Sequence, residues 1–299
     1  MKTTQNSSSL RAWILASRPK TLTAALVPII TATALVYALE LPIKWWVSFF
    51  ALLSSFCIQI ATNFVNDASD FIKGADTEKR IGPQRVTQSG LFTSRQVFAM
   101  AAVFFALAML FGIPLVIEGG WPIVILGLLS IFFGYAYTAG PFPLAYLGLG
   151  DLFVLLFFGF VAVSGLFFLH AHFVATPVFI LSMQVGLLAT VLIAINNLRD
   201  FFQDREVHKR TLAVFLGITG ARIEITLLVL SPFVIGVYWW FHGFEWSFYL
   251  PFISLPLAIK ILISIWKTPP SPAYNQFLGM GAGLHLLFGL LISIGFILR

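Results

Sequence analysis

The sequence predicts an all-α fold, a polytopic membrane bundle of about nine transmembrane helices. The mean hydropathy is +0.93 and only 10% of residues are charged, whereas soluble domains carry about 25% charged residues. Apolar stretches of the length that crosses a hydrocarbon core of about 30 Å recur along the chain. Such runs lack strand-like alternation, which excludes a transmembrane barrel.

Nine apolar stretches are expected to form helices. In chain order they cover residues 22–39, 46–65, 97–117, 121–138, 149–169, 175–197, 224–241, 247–266 and 277–298. The first is longer than a signal-peptide core and is interpreted as a retained helix. The glycines of the fifth and last stretches, such as Gly159 and Gly279, favour close helix packing. Residues 1–12 are expected to be a disordered tail, and residues 13–299 a single transmembrane domain.

The distribution of Lys and Arg predicts the orientation, because these residues stay on the cytoplasmic side of short loops. With the N-terminus inside, the basic residues near 2–20, 73–95, 199–222 and 267 share one side, and only Lys44 and Arg299 fall clearly outside. We therefore expect a bacterial-type inner (plasma) membrane protein with its N-terminus cytoplasmic and its C-terminus outside. The net charge of +6 then faces anionic lipid. No basic stripe lies on a soluble helix, so nucleic acid is not an expected partner.

Two segments at the ends of the second and sixth stretches concentrate the acidic residues. Seven of the 12 acids lie there: Asp67, Asp70, Asp76, Glu78, Asp200, Asp204 and Glu206. In the first segment Asn63 precedes Asp67 and Asp70 at helical spacing, and in the second Asn197 precedes Asp200 and Asp204, so each set shares one helix face. Four helices separate the segments, an even number, so both open on the cytoplasmic side and could face one cavity.

Clustered carboxylates raise each other's pKa unless a cation neutralises them. Mg²⁺ suits such a site, because it prefers oxygen ligands and binds through one or two carboxylates together with substrate phosphates. The single cysteine, Cys57, and the absence of a Cys/His cluster in the sequence give no indication of zinc. Basic residues beside the acids suit the remaining oxygens of a diphosphate; they are Lys73, Lys79, Arg80, Arg85, Arg199, Lys209 and Arg210.

The two segments also resemble a known family. The first segment contains Asn66-Asp67-x-x-Asp70-x-x-x-Gly74-x-Asp76 and is followed by Gly82-Pro83-Gln84-Arg85. The second contains Asn196-Asn197-Leu198-Arg199-Asp200-x-x-x-Asp204 and is followed by Lys209-Arg210-Thr211. Two shorter motifs accompany them: Arg18-Pro19-Lys20-Thr21 and Tyr137-Thr138-Ala139-Gly140-Pro141. Together they resemble the signatures of the UbiA superfamily of intramembrane prenyltransferases, and are most similar to its menaquinone branch.

The resemblance implies a helical bundle around a central cavity open to the cytoplasm, with a lateral route for an isoprenoid tail. It implies transfer of a polyprenyl group from an allylic prenyl diphosphate to an aromatic acceptor, 1,4-dihydroxy-2-naphthoate in this branch, with loss of the acceptor's carboxylate. The implied cofactor is Mg²⁺, as two ions. The expected partners are these two substrates and the lipid bilayer.

The resemblance also implies site residues. The acids carried over as catalytic are Asp67, Asp70, Asp200 and Asp204. Asn63, Asp67 and Asp70 would hold one metal ion, and Asp200 with Asp204 the other. The expected substrate-binding residues are Asn63, Asn66, Asn196, Lys73, Arg80, Arg85, Arg199, Lys209, Arg18 and Tyr137.

The chain departs from the family pattern at two positions. Gly74 stands where the hydroxybenzoate branch has a third Asp, which leaves Asp76 a doubtful ligand. Pro141 stands where several relatives carry a Lys four residues after a Tyr. Asp151, at the start of the fifth stretch, is a further acid to test. Its ordinary role would be to cap the N-terminus of a helix.

Two other functions remain open from the sequence. One is a UbiA-type enzyme with another acceptor, such as 4-hydroxybenzoate or homogentisate. The other is a cation-coupled transporter that uses the same acids. The length of the prenyl chain and the oligomeric state are not decided by the sequence.

Overall fold

The structure, a computed structural model, describes residues 9–75 and 81–299. We number its main helices in chain order: α1 Ser9–Ala16, α2 Thr23–Ala38, α3 Trp45–Ile72, α4 Ser94–Gly119, α5 Trp121–Ala136, α6 Gly150–Ala171, α7 Thr176–Arg199, α8 Phe201–Glu206, α9 Leu212–Phe241, α10 Glu245–Lys267 and α11 Tyr274–Leu298. Short 3₁₀ turns cover Pro19–Thr21 and Leu144–Tyr146. The predicted all-helical membrane fold is confirmed.

Each predicted apolar stretch coincides with a helix, but not each helix is long enough to be counted as a span. Seven described helices have the length and apolarity to cross a membrane, and the bent pair Leu10–Thr21 and Thr23–Ala38 raises the number to eight. Helix α5 has 16 residues, which is short of the usual span. The count of nine therefore stays a prediction. Residues 9–12, which the sequence placed in a disordered tail, begin helix α1, and residues 1–8 lie outside the described part.

Helices α7 and α11 are the most buried spans. They pack with α2, α6 and α9 around one large apolar core, which includes Leu35, Leu188 and Phe288. A second core joins α1, α3 and α4 around Phe64 and Val97. The acidic segment that follows α7 is thus anchored on the most buried span of the described bundle, which contacts helices on several sides.

Helices α6 and α7 approach closely through glycines. A Cβ atom on Gly159 would lie 2.5 Å from the Ser182 carbonyl oxygen and 2.9 Å from the Cα of Gly186. The middle of α6, Leu155–Ser164, is wound as a π-helix, a form that often occurs near functional sites. The expected role of Gly159 in close packing is confirmed, whereas that of Gly279 is wrong, because a Cβ on Gly279 would meet nothing within 4 Å.

Helix α3 ends in a Schellman motif beside the first acidic segment. Gly74 has a φ of 70°, the Ala75 amide donates to the Asp70 carbonyl at 2.9 Å, and the Gly74 amide donates to the Phe71 carbonyl at 3.1 Å. This left-handed position favours glycine over residues that carry a Cβ. Glycine at position 74 therefore suits this helix end.

Contacts group the loops at two ends of the bundle. At one end, Lys73 contacts Thr138 and Asn275 contacts Ile81, so the segments after α3, α5 and α10 lie together. At the other end, Lys44 pairs with Glu118 at 2.5 Å. Both acidic segments lie at the first end, which we call the polar end.

Candidate active site

Two adjoining cavities occupy the polar end and the bundle beneath it. The larger has a volume of about 630 Å³ and is lined mainly by apolar residues of α3 to α7. The smaller has a volume of about 40 Å³ and is mostly polar. Arg18, Asn66, Tyr137 and Asn196 line both cavities, so the polar cavity continues directly into the apolar one.

Asp70 lies in the polar cavity within a buried network. Arg85 Nη2 donates to Asp70 Oδ2 at 2.8 Å and the Tyr146 hydroxyl donates to Oδ1 at 2.9 Å. Both charged side chains are at most 8% exposed. Loss of either charged partner would leave the other charge buried and uncompensated. Arg85 and Asp70 are therefore expected to stay paired.

Asp67 faces the chain segment 85–87 instead. Its carboxylate accepts hydrogen bonds from the backbone amides of Val86 and Thr87, both at 3.2 Å, and a further short one from the Thr87 hydroxyl. It lines neither cavity. This arrangement positions Arg85, the residue before Val86, against Asp70.

The two asparagines of α3 bind neighbouring segments. Asn63 Nδ2 donates to the Ser17 carbonyl at 2.9 Å and to the Thr21 hydroxyl at 3.1 Å. Asn66 Oδ1 accepts from the Thr138 hydroxyl at 2.6 Å. Asn63 lines the apolar cavity and Asn66 lines both. Each therefore holds a loop at the cavity wall while keeping part of its side chain against the cavity.

At the end of α7, Arg199 and Asp200 pair through two hydrogen bonds. Arg199 Nε and Nη2 donate to the two oxygens of Asp200 at 2.8 Å and 2.6 Å. The guanidinium also donates to Asn196 Oδ1 and to Asn275 Oδ1, each at 2.8 Å. Arg199 is 1% exposed and lines neither cavity. In this conformation Arg199 ties α7 to α11.

Asp204 and Lys209 form a buried pair on the polar side. Lys209 Nζ lies 3.6 Å from Asp204 Oδ1, and Asp204 Oδ2 is buried without a hydrogen-bond partner among the described residues. Burial raises the pKa of Asp204 to about 6, although Lys209 opposes this. Burial lowers the pKa of Lys209, but the charges of Asp70, Asp204 and Asp200 raise it overall. The charged form of Lys209 is therefore stabilised by three carboxylates.

Tyr146 connects the two acidic segments. Its ring faces Lys73 Nζ at 4.7 Å and Lys209 Nζ at 5.4 Å, and its hydroxyl binds Asp70. Lys73 Nζ also donates to the Thr138 carbonyl at 2.6 Å. The sequence gave Tyr146 no role, since a Tyr in a loop is not distinctive by itself.

Three more polar residues lie at or near the site: Asp151, which the sequence marked as an acid to test; Asn197, which shares a helix face with Asp200; and Glu224, which the sequence did not indicate. Asp151 and Asn197 line the polar cavity, and Glu224 lies partly buried within span α9. The position of Glu224 inside an apolar span is a signal that sequence reasoning could have used, because ionisable groups at membrane depth are usually functional. Asp76 and Arg80 lie outside the described residues.

The predicted site residues are therefore brought together in part. Among residues 9–75 and 81–299, no three carboxylate, imidazole or thiol groups converge as a ready metal centre. The acids instead pair with cations and with backbone amides. Such a cluster is suited to a small divalent ion bound mainly through substrate phosphates.

An apolar cavity that ends in buried cations and carboxylates defines a class of membrane protein that binds an amphipathic anion. The UbiA prenyltransferase family model matches residues 25–290. A 1,4-dihydroxy-2-naphthoate octaprenyltransferase of Haemophilus influenzae is 33% identical over 302 residues, which cover 97% of this chain and 96% of that protein. The chain belongs to the UbiA prenyltransferase family and is an integral, multi-pass membrane enzyme.

Solved structures agree with this fold. The apo structure of a UbiA homolog from Aeropyrum pernix K1 matches with a TM-score of 0.69 at 16% identity, over 93% of this chain and 97% of that chain. A UbiA homolog from Archaeoglobus fulgidus bound to GPP and Mg²⁺ matches with a TM-score of 0.62 at 15% identity, over 95% and 99%. The family assignment removes the transporter alternative.

Proposed function

We propose that the protein transfers a polyprenyl group from an allylic polyprenyl diphosphate to 1,4-dihydroxy-2-naphthoate, with loss of the acceptor's carboxylate, in menaquinone biosynthesis. One observation carries the donor part of this proposal. The polar cavity and the apolar cavity share Arg18, Asn66, Tyr137 and Asn196. One molecule with a charged head and a long apolar tail fits both at once. The acceptor part follows from the name of the Haemophilus influenzae relative.

The cations at the polar end would bind the diphosphate. Lys73 and Lys209 flank the Tyr146 ring, and Arg85 is buried against Asp70. Their positive charges favour departure of the diphosphate, which takes the electron pair of the allylic C–O bond. The apolar lining keeps water away from the allylic carbon, so that the aromatic ring is the nucleophile that meets it.

We propose Mg²⁺ as the cofactor, and the residues present fit a divalent cation. Asp204 carries a buried oxygen without a hydrogen-bond partner in the described structure, and Asp70 lies close enough for the two carboxylates to interact. Asp70 and Asp204 would hold the ion. A bound divalent cation supplies charge that stabilises the leaving diphosphate. The UbiA homolog from Archaeoglobus fulgidus was solved with GPP and Mg²⁺ bound.

Asp67 and Asp200 hold different partners in the present conformation. Asp67 binds the Val86–Thr87 amides, and Asp200 binds Arg199. Asn63 binds Ser17 and Thr21 through its amide nitrogen, which is not the atom that would bind a metal ion. Either acid would have to exchange its partner to reach a metal ion, as would Asp70, whose oxygens bind Arg85 and Tyr146. Asp67, unlike Asp70, also lines neither cavity. We therefore propose Asp67 chiefly as the residue that positions Arg85.

We propose that the polar end faces the cytoplasm, with the N-terminus inside and the C-terminus outside a plasma membrane. The basic residues at that end support this orientation. Cytoplasmic access suits both a soluble aromatic acceptor and a released diphosphate.

The test is product formation by the purified protein in detergent. An allylic polyprenyl diphosphate and Mg²⁺ are supplied, with dihydroxynaphthoate and hydroxybenzoate as competing acceptors and EDTA as the control. Mg²⁺-dependent prenylated naphthoquinol, free of the carboxylate, is the expected product. Prenylated hydroxybenzoate in its place would contradict the proposed acceptor, and no diphosphate release with either would contradict prenyl transfer.

A further inference from the structure

Asp151 is a buried carboxylate in the polar cavity that the diphosphate site does not use. It lies in the first turn of α6, is 4% exposed, and lines the cavity together with Arg18, Tyr137 and Asn197. None of the cations discussed above contacts it within hydrogen-bond distance in the described structure. Its neighbours are the amide of Asn197 and the phenol of Tyr137, whereas Asp70 and Asp204 each lie beside a cation.

The two oxygens of Asp151 are unequal. Oδ2 accepts a hydrogen bond from Asn197 Nδ2 at 3.3 Å, whereas Oδ1 is buried and accepts none from any described residue. The positive end of a helix dipole favours a carboxylate in the first turn, but it does not supply Oδ1 with a donor. A buried acceptor without a donor is destabilising, which indicates that a ligand completes the site.

The chemistry of the missing ligand follows from the charges. Asp151 lines the polar cavity, and its carboxylate pairs with an amide and with no cation among the described residues, so its charge disfavours phosphate oxygens on this side of the cavity. A neutral hydrogen-bond donor is favoured instead. The Tyr137 hydroxyl lies against Gly150, the residue before Asp151, where a Cβ would approach to 2.8 Å. A ring hydroxyl is a neutral donor of the kind that Asp151 Oδ1 lacks.

We propose that Asp151 accepts a hydrogen bond from a ring hydroxyl of the aromatic acceptor, and that Asn197 positions the carboxylate for this contact. The inference rests on the proposed function. The same negative charge directs the acceptor's own carboxylate away from Asp151, toward the Arg18 side of the cavity. A hydrogen bond from the hydroxyl to a carboxylate also enriches the ring in electron density, which makes the ring carbon a better nucleophile.

The test is steady-state kinetics of purified Asp151→Asn with dihydroxynaphthoate, beside direct binding of the prenyl diphosphate. We expect kcat/KM for the acceptor to fall at least 20-fold, mainly through a higher KM, while the Kd for the prenyl diphosphate stays within twofold. Glu206→Gln, an exposed acid on the neighbouring helix α8, is the matched control. Acceptor kinetics within twofold of the unmodified protein would overturn the proposal, and so would an equal loss of diphosphate affinity.

A second measurement needs no variant, in case Asp151→Asn does not fold. The two mono-methyl ethers of dihydroxynaphthoate are compared as inhibitors of the unmodified protein. At least one ether should bind at least 10-fold more weakly than the parent acceptor, because it lacks the donor that faces Asp151. Binding of both ethers within twofold of the parent acceptor would overturn the proposal. A lack of any naphthoate prenylation would instead contradict the proposed function itself.

Discussion

Asp204 is the residue whose surroundings most directly favour a bound cation. One of its oxygens is buried without a partner in the described structure, and burial raises its pKa to about 6. Lys209 compensates the charge only in part, at 3.6 Å. A divalent ion beside Asp204 would satisfy the second oxygen, which a single ammonium group does not.

Replacement of Asp204 should therefore act through the metal ion. Asp204→Asn removes one negative charge while keeping the side-chain shape, and we expect the Mg²⁺ concentration for half-maximal activity to rise at least 10-fold. Titration of activity with Mg²⁺ measures this change, and Glu206→Gln on the same short helix is the control. An unchanged Mg²⁺ requirement would remove Asp204 from the ligand set.

Arg199 is expected to matter for stability first. Arg199→Lys keeps the charge but loses the planar set of donors that binds Asp200, Asn196 and Asn275 at once. Buried acceptors are then left without donors, and the protein should lose about 2–3 kcal/mol of stability. The melting temperature in detergent reports this loss. The exposed Arg205→Lys should leave it unchanged, and an equal effect of the two changes would contradict this role of Arg199.

The sequence predicted the polar residues of the site better than their partners. The helical spacing of Asn63, Asp67 and Asp70 correctly placed them near one end of α3, because spacing determines which turn of a helix a residue occupies. It could not reveal that Asp67 binds the Val86 amide while Asp70 binds Arg85. Those contacts depend on how the segment 81–93 folds back, which is a tertiary property.

At the scale of helices, the apolar stretches coincide with all seven described helices that are long enough to cross a membrane, but they do not give the shape of those helices. The bend before α2 and the π-helical middle of α6 have no clear signature in composition. The apolar stretch also does not give the end of helix α5, because the stretch has 18 residues and the helix has 16. The tyrosine and loop residues that follow α5 turn toward the site instead of extending the span.

The close contact between α6 and α7 predicts that one added methyl group destabilises the protein. Gly159→Ala would press a Cβ against the Ser182 carbonyl and the Gly186 Cα, both of which are backbone atoms that cannot rotate away. We expect a loss of about 1–3 kcal/mol, measured as a lower melting temperature in detergent. Gly279→Ala is the matched control, because a Cβ there meets nothing within 4 Å. A Gly159→Ala protein as stable as the control would contradict the close approach.

At the scale of the whole molecule, the two ends of the bundle should lie on opposite sides of the membrane. Both test positions are exposed glutamates: Glu206 lies at the polar end and Glu245 at the start of α10. In a Cys57→Ala background, we expect Glu245→Cys to react with an impermeant thiol reagent on intact cells. Glu206→Cys should react only after the membrane is permeabilised. The reverse pattern would contradict the proposed orientation.

The central claim is that one continuous cavity holds the diphosphate at its polar end and the prenyl tail in its apolar part. Gly127 lines the apolar part on α5, roughly 15 Å along the helix from Tyr137 at about 1.5 Å per residue. A Cβ on Gly127 meets nothing within 4 Å, so a side chain there starts in open space, and we expect a large one to extend into the cavity.

The measurement is kcat/KM of Gly127→Phe with a donor of two isoprene units and with a donor of eight. We predict that the short donor is used within threefold of the unmodified protein, while the long donor is used at least 10-fold less efficiently. Equal effects on both donors, or none on the long donor, would contradict the placement of the tail in this cavity.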